Sequence, residues 1–170
     1  MRIATGLPSF RSLRDLAVAI SDLARSVAAG WNVQHRTDGS HSFPVVDVPF
    51  TAGSYTGSGS MTWTLDPADQ KNLQYRLIDG VMTLTWKVTG SDVGGTASNE
   101  LRIAIPDGYR AIEAVTTPHW YADAGTEGVG FSGVLMNDTF VRLYKLGSTS
   151  WTLTTGDNTS TGGQLSFRVQ

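Results

Sequence analysis

Cysteine is absent from this 170-residue chain, which excludes disulfide scaffolds, thiolate zinc sites and cysteine nucleophiles. No apolar run approaches the roughly 20 residues that a membrane helix requires. Arg11, Arg14 and Asp15 interrupt the most apolar N-terminal segment, so we expect no secretory signal. Charge is sparse and balanced, with 13 basic and 15 acidic residues, and it is not gathered into the basic stripe of a nucleic-acid-binding protein. The sequence therefore predicts a soluble protein with neither nucleic-acid partners nor membrane insertion.

Motifs associated with catalysis have simpler structural interpretations. Residues 128–133 match the G-x-G-x-x-G spacing of dinucleotide sites, but no predicted strand precedes them and no predicted helix follows, so we interpret them as a glycine-permitted bend or bulge. Asp66 with Asp69, and Asp123 with Glu127, are interpreted as turns rather than as the carboxylate pair of a glycosidase. No serine lies in a G-x-S-x-G elbow. We predict that the chain is not an enzyme and uses no cofactor.

Apolar residues recur with helical period near the start of the chain. The stripe consists of Phe10, Leu13, Leu16, Ala17, Ile20, Leu23, Ala24 and Val27. Pro8 and Ser9 mark the start of the helix, and Gly30 marks its end. The stripe is wider than one partner helix can cover, which favours a bundle of three or more helices, although packing against the chain's own sheet is an alternative. We predict that residues 1–30 form an anchor and assembly helix.

After Trp31 the pattern changes to short runs in which apolar and polar residues alternate. Four such runs predict strands with one buried face: Met61–Leu65, Met82–Val88, Leu101–Ile105 and Leu165–Val169. Asp79 and Gly80 predict a hairpin turn, because both tolerate positive φ. The Gly-, Ser- and Thr-rich segments 51–60, 89–98 and 156–163 are predicted to be loops. Residues 31–170 are therefore predicted to form a mainly β domain, an antiparallel, jelly-roll-like β-sandwich.

Aromatic residues provide the candidate binding site. Trp63, Trp86 and Trp151 share the apolar phase of their runs and are predicted to lie in the core. The consecutive rings of His119, Trp120 and Tyr121 must project to both faces of a strand or lie on a loop, so at least one should be exposed. Exposed aromatic rings pack well on sugar rings, which makes these three residues the candidate receptor-binding site. Packing at a sheet edge or in a subunit contact is the alternative.

His35 and His41 are the weak candidates for a metal site. They flank a predicted tight turn at Asp38 and Gly39, and in a symmetric trimer their rings could converge on the axis. The alternative is a hydrogen-bonded turn between the helix and the sheet. We predict no metal.

Several segments resemble bacteriophage tail-fibre and head-fibre proteins, the spikes of virions. Residues 31–41, WNVQHRTDGSH, are similar to the N-x-x-H-x-x-D-G-x-H element of such proteins. A hairpin from Tyr75 to Val88, the pair Gly95 and Thr96, the strand 101–108 and the closing segment 151–167 follow in the order found in their C-terminal β-sandwich domains. The resemblance covers residues 31–170.

The resemblance implies a homotrimeric virion component that attaches to a host-surface glycan or protein, with the N-terminal segment bound to other virion proteins. Long fibres carry an extended shaft, whereas this chain has room for a short helix and one domain only. A short fibre or spike fits this size. A capsid or tail decoration protein without receptor binding, and a free carbohydrate-binding module, are the alternatives.

Overall fold

A computed structural model describes residues 19–25 and 43–170. The chain divides into two units, Met1–Pro44 and Val45–Gln170. In the first unit, residues 19–25 are helical, as predicted, and Ile20 and Leu23 are 58% and 65% exposed. The rest of the predicted stripe (Phe10, Leu13, Leu16, Ala17 and Val27) and both His35 and His41 lie outside the described residues, so trimerisation through the helix stays a prediction. No helix within the described residues is long and apolar enough to cross a membrane.

The second unit is built from ten strands. They are β1 (Val46–Asp47), β2 (Tyr55–Gly57), β3 (Met61–Thr64), β4 (Gln70–Ile78), β5 (Val81–Gly95), β6 (Leu101–Ala104), β7 (Val115–Asp123), β8 (Thr126–Val134), β9 (Phe140–Lys145) and β10 (Thr154–Arg168). Short 3₁₀ turns lie at Ala52–Ser54, Pro106–Gly108 and Leu146–Ser148. All strand pairs are antiparallel. The prediction of a mainly β, antiparallel fold with an N-terminal helix is confirmed.

The predicted hairpin joins β4 and β5. Asp79 and Gly80 have φ values of 50° and 76°, the left-handed region that a two-residue turn of this kind requires. From this turn the register runs unbroken as far as the pair of Asn72 and Lys87. The same turn chemistry recurs at Ala124 and Gly125, which join β7 to β8. These two hairpins fix which side chains of four strands face inward.

The strands form one curled sheet in the order β1-β4-β5-β10-β7-β8-β9-β6-β2, with β3 paired to the far end of β5. The phenol of Tyr55 on β2 donates a hydrogen bond of 2.6 Å to the side-chain oxygen of Gln70 on β4, so opposite ends of this path meet. Strand β5 pairs with β4 over its first half and with β3 over its last residues, and Gly90 between them has a φ of 75°. The curl places the inward side chains of all the long strands around one core.

The core is formed by the apolar side chains that point inward from every second position of the strands. Its largest fully buried members are Trp86, Trp151, Phe167, Met82, Leu84, Leu101, Ile103, Leu143 and Leu165. Each fully buried aliphatic or Phe side chain stabilises the fold by about 1.5–3 kcal/mol relative to exposure. Trp63, Trp86 and Trp151 are 1–3% exposed, which confirms their predicted place.

The prediction that residues 89–98 and 156–163 form loops is largely wrong. Strand β5 continues to Gly95, and residues 156–163 lie within β10. Glycine, asparagine and aspartate are poor strand formers, but β10 pairs with β5 on one side and β7 on the other, so tertiary pairing overrides their local preference. The predicted loop at 51–60 likewise contains the short strand β2.

The glycine motif at 128–133 lies in β8, which the sequence pattern did not identify as a strand. The register between β7 and β8 is unbroken, so the predicted bend or bulge is wrong for this pair. The glycines instead permit close approach: a Cβ on Gly130 would lie 2.0 Å from the carbonyl oxygen of Tyr144, and one on Gly128 would lie 2.6 Å from the ring of Tyr121.

Candidate binding groove on the outer face of the sheet

Strand β7 separates the three consecutive aromatic residues by its two-residue period. His119 and Tyr121 point inward, and Trp120 points outward. His119 is 3% exposed, whereas Trp120 is 36% exposed. Within this candidate site, direct contact with a large ligand is therefore confined to Trp120, and the other two rings support it from the inner face.

His119 is a neutral ring in the core. Its ring centroid lies 6.3 Å from that of Trp86 and 6.2 Å from that of Tyr121. Neither nitrogen has a hydrogen-bond partner among the described residues. Burial lowers the pKa of His119 to about 4, because an imidazolium would lose its hydration there. The ring therefore fills space between its aromatic neighbours.

Glycines on the flanking strands make room for these inner rings. Gly163 on β10 lies opposite Trp86 on β5. A Cβ on Gly163 would lie 2.7 Å from Trp86 Cζ2 and 2.9 Å from His119 Cβ, which is closer than real carbon atoms pack. Only glycine at position 163 allows both rings to lie against the backbone of β10.

On the outer face, the registers bring four residues into one lateral row across β4, β5, β10 and β7. Asn72 is opposite Lys87, Lys87 is opposite Gly162, and Gly162 is opposite Trp120. A Cβ on Gly162 would lie 3.8 Å from Trp120 Cε3 and 3.9 Å from Lys87 Cγ. Gly162 is thus the floor of a groove whose walls are the indole of Trp120 and the side chain of Lys87.

The groove continues along the strands. The depression over Gly162 has a volume of about 490 Å³, and its further lining includes Asn72, Thr85 and Gln164. A second depression of about 320 Å³ shares Thr85 and Gln164 with the first. It is lined in addition by Val45, Gln74, Tyr75, Arg76, Ile78 and Thr83. Together the two form one elongated surface, which we call the outer groove.

Polar side chains line the outer groove beside a larger apolar area, and its two charged side chains, Lys87 and Arg76, are both cations. No Asp or Glu lines either depression, and the carboxylate nearest in the register is Asp47 on β1, opposite Gln74 at the edge. Lys87 and Arg76 are exposed, and neither forms an ion pair within residues 43–170. Their charges are therefore free to meet an anionic ligand.

One carboxylate of each pair considered for catalysis, Asp123 and Asp69, has structural hydrogen-bond partners. Asp123 is buried and accepts a 2.5 Å hydrogen bond from the ammonium of Lys145, and it also accepts from the backbone and hydroxyl of Thr152. Asp69 accepts from the backbone N–H of Asp66 at 2.8 Å, which closes the predicted turn. Within residues 19–25 and 43–170, no three His, Asp or Glu side chains are grouped so as to hold a metal ion.

A second charged cluster lies on the outer face of β6 and β9. Arg102 and Arg142 are directly opposite each other, and Glu100 accepts hydrogen bonds from both. Burial alone would raise the pKa of Glu100, but hydrogen bonds from Tyr144 and Arg102 and the charge of Arg142 hold it below its ordinary value. This carboxylate is therefore ionised and offsets the repulsion between two guanidinium groups.

No protein-family model matches the chain, and no curated protein matches it. Among solved structures, the chain is similar to the head domain of phage bIL170, which is described with the receptor-binding domains of lactococcal phages. The TM-score is 0.44 at 13% sequence identity, over 76% of this chain and 100% of that chain. A likeness this distant assigns no function.

The sequence identified Trp120, one wall of the outer groove, as a candidate binding residue. It did not assign the other lining residues to a site. Thr83, Thr85 and Lys87 were predicted to lie on the polar face of the strand Met82–Val88. The sequence did not show that Lys87 faces Trp120 across the groove, because β10 is inserted between β5 and β7 and its glycines were assigned to a loop.

Proposed function

We propose that this protein is a non-enzymatic structural protein of a bacteriophage-like particle that mediates attachment to the host surface. In this proposal the protein is a short homotrimeric fibre or spike of the virion, held to other virion proteins by its N-terminal segment. The resemblance of residues 31–170 to fibre proteins supports the class. Trp120 and the outer groove support attachment.

The observation that carries the proposal is an exposed indole on a rigid, paired strand beside an open groove that carries amide, hydroxyl and cationic side chains. Trp120 is held by pairing of β7 with β8 and β10, so its position costs little further ordering on binding. A rigid aromatic wall next to amide, hydroxyl and ammonium groups is typical of surfaces that recognise sugars and polar chains.

Adsorption of the purified, fluorescently labelled chain to a panel of bacterial strains tests this proposal. We expect saturable adsorption to a subset of strains, and loss of most adsorption in Trp120→Ala. Leu146→Ala is the matched control, because Leu146 is 64% exposed and lies outside the outer groove. A folded Trp120→Ala protein that adsorbs like the wild type would remove the outer groove from the proposal.

A purely architectural role, as a capsid or tail decoration protein, is the second candidate. Four apolar residues on β8 and just beyond it are 42–67% exposed: Val129, Phe131, Leu135 and Met136. Apolar surface of this kind favours contact with another protein. Binding to virion proteins together with adsorption to no bacterial strain would favour this role. A free carbohydrate-binding module would instead bind sugar as a monomer without residues 1–30.

A further inference from the structure

We propose that the outer groove binds a linear polysaccharide that carries acidic groups. This inference rests on the proposed host attachment and names its ligand class. It follows from three features of the groove: its aromatic wall, its glycine floor and its uncompensated cations.

The aromatic wall and the floor set the shape of the ligand. Gly162 has no side chain, and its neighbours in the row are Lys87 on one side and Trp120 on the other. A sugar ring can therefore lie over the backbone of β10 with one face on the indole. The apolar face of a pyranose packs on such a ring while its hydroxyls stay at the polar edge. Asn72 and Gln164 offer amide donors and acceptors to those hydroxyls.

The length of the groove favours an internal stretch of a chain over a single terminal sugar. Lys87 and Arg76 lie on adjacent strands and are separated by four residues along β4. At about 3.4 Å per residue and about 4.8 Å between strands, their Cα atoms are about 14 Å apart. Gln74, Thr83 and Thr85 continue the polar lining between them.

The charge of the groove sets the chemistry of the ligand. Two cations face the groove, and no lining carboxylate neutralises them. Arg76 can bind a carboxylate or phosphate through two parallel hydrogen bonds, and Lys87 acts as a point charge. Uronic acids and phosphodiester-linked sugars both supply this chemistry, and the experiment distinguishes them.

The test uses purified surface polysaccharides from strains that adsorb the protein, and it compares each with a chemically neutralised form of itself. Carboxyl reduction removes uronate charges and leaves the chain intact, whereas hydrofluoric acid cleaves phosphodiester links and leaves uncharged fragments, so the salt dependence of the untreated form separates loss of charge from loss of chain length. Binding is measured by biolayer interferometry with the full chain. We expect one of the two treatments to weaken binding at least five-fold, and added salt to weaken binding to the untreated form. Equal affinity for treated and untreated forms would overturn the proposal.

Three variants locate the binding site. In Gly162→Val the new Cβ would be in ordinary contact with its neighbours at 3.6 Å or more, the two methyl groups would occupy the space above the floor of the groove, and we expect at least a ten-fold loss. Trp120→Ala should weaken binding about ten-fold, as expected for an aromatic anchor. Lys87→Gln should weaken it about two- to five-fold, as expected for an exposed ion pair.

Matched controls are available elsewhere in the second unit. A Cβ on Gly53 would meet no atom within 4 Å, so Gly53→Val is the control for Gly162→Val. Arg110 is exposed and lies outside the outer groove, so Arg110→Gln is the control for the charge change. Both controls should bind like the wild type. A folded Gly162→Val protein with unchanged affinity would overturn the assignment of the site.

Whole cells separate the failure of this inference from the failure of the proposed function. Periodate treatment of adsorbing cells should abolish binding, and proteinase treatment should not. The opposite result would leave host attachment standing with a protein receptor and overturn the polysaccharide ligand. Adsorption to no strain at all would overturn both.

Discussion

Acidification is expected to destabilise the fold through His119. Burial lowers its pKa in the folded state from an ordinary value of 6.5 to about 4. Between these two values the unfolded chain binds a proton that the folded chain does not, so the free energy of unfolding decreases as pH falls through this window. Below the folded-state pKa the contribution no longer changes. The loss amounts to about 2 kcal/mol between pH 7 and pH 5, and to about 3 kcal/mol by pH 4.

Urea unfolding followed by tryptophan fluorescence at pH 7, 6 and 5 measures this loss. His119→Phe keeps a ring between the inner aromatic side chains and cannot be protonated, and His119→Leu places a smaller apolar side chain there in case Phe overfills the site. Both variants keep His35 and His41, so the difference from the wild type isolates His119. The pKa values of Glu100 and Asp138 are also lowered, but their contributions are lost only at more acidic pH. Parallel pH dependence in the wild type and both variants would refute the reasoning.

Three further predictions concern packing and assembly. Gly163→Ala should lower the free energy of unfolding by about 1–3 kcal/mol in urea titrations, because the new methyl would lie 2.7 Å from the Trp86 ring, and an unchanged midpoint would contradict this packing. Asp123→Ala should destabilise the fold by about 3–5 kcal/mol, because it leaves the ammonium of Lys145 buried and unpaired, and a second change of that lysine to Met should recover part of the loss. Light scattering should give the mass of a trimer for the full chain and of a monomer after removal of residues 1–30, whereas a monomer in both forms would refute assembly through the helix.

The strands with strict alternation were predictable because one face of each is buried. In Met82–Val88 the inward residues are apolar and the outward residues are polar, and a shift of one residue would reverse both faces. The hairpin at Asp79 and Gly80 was predictable because its backbone conformation is a local property of those two residues. Both kinds of inference use interactions between residues close in sequence.

The glycine-rich strands were not predictable in this way. Residues 156–163 contain no apolar residue, residues 126–134 alternate only at Val129 and Phe131, and their glycines are required by atoms of other strands. Gly163 is small because Trp86 and His119 occupy the space next to it, and Gly130 is small because the backbone of Tyr144 passes close by. Such reasons do not appear in the sequence near the glycine itself.

For the candidate site, the sequence by itself determined that three consecutive rings either divide between the two faces of a strand or lie on a loop, and that Lys87 lies on the polar face of another strand. Which ring is exposed, and which residues surround it, was decided only by the order of strands in the sheet. Lys87 and Trp120 are 33 positions apart in sequence. Because β10 is placed between β5 and β7, they lie on either side of Gly162. Strand order depends on the summed burial of the whole core, so no local pattern specifies it.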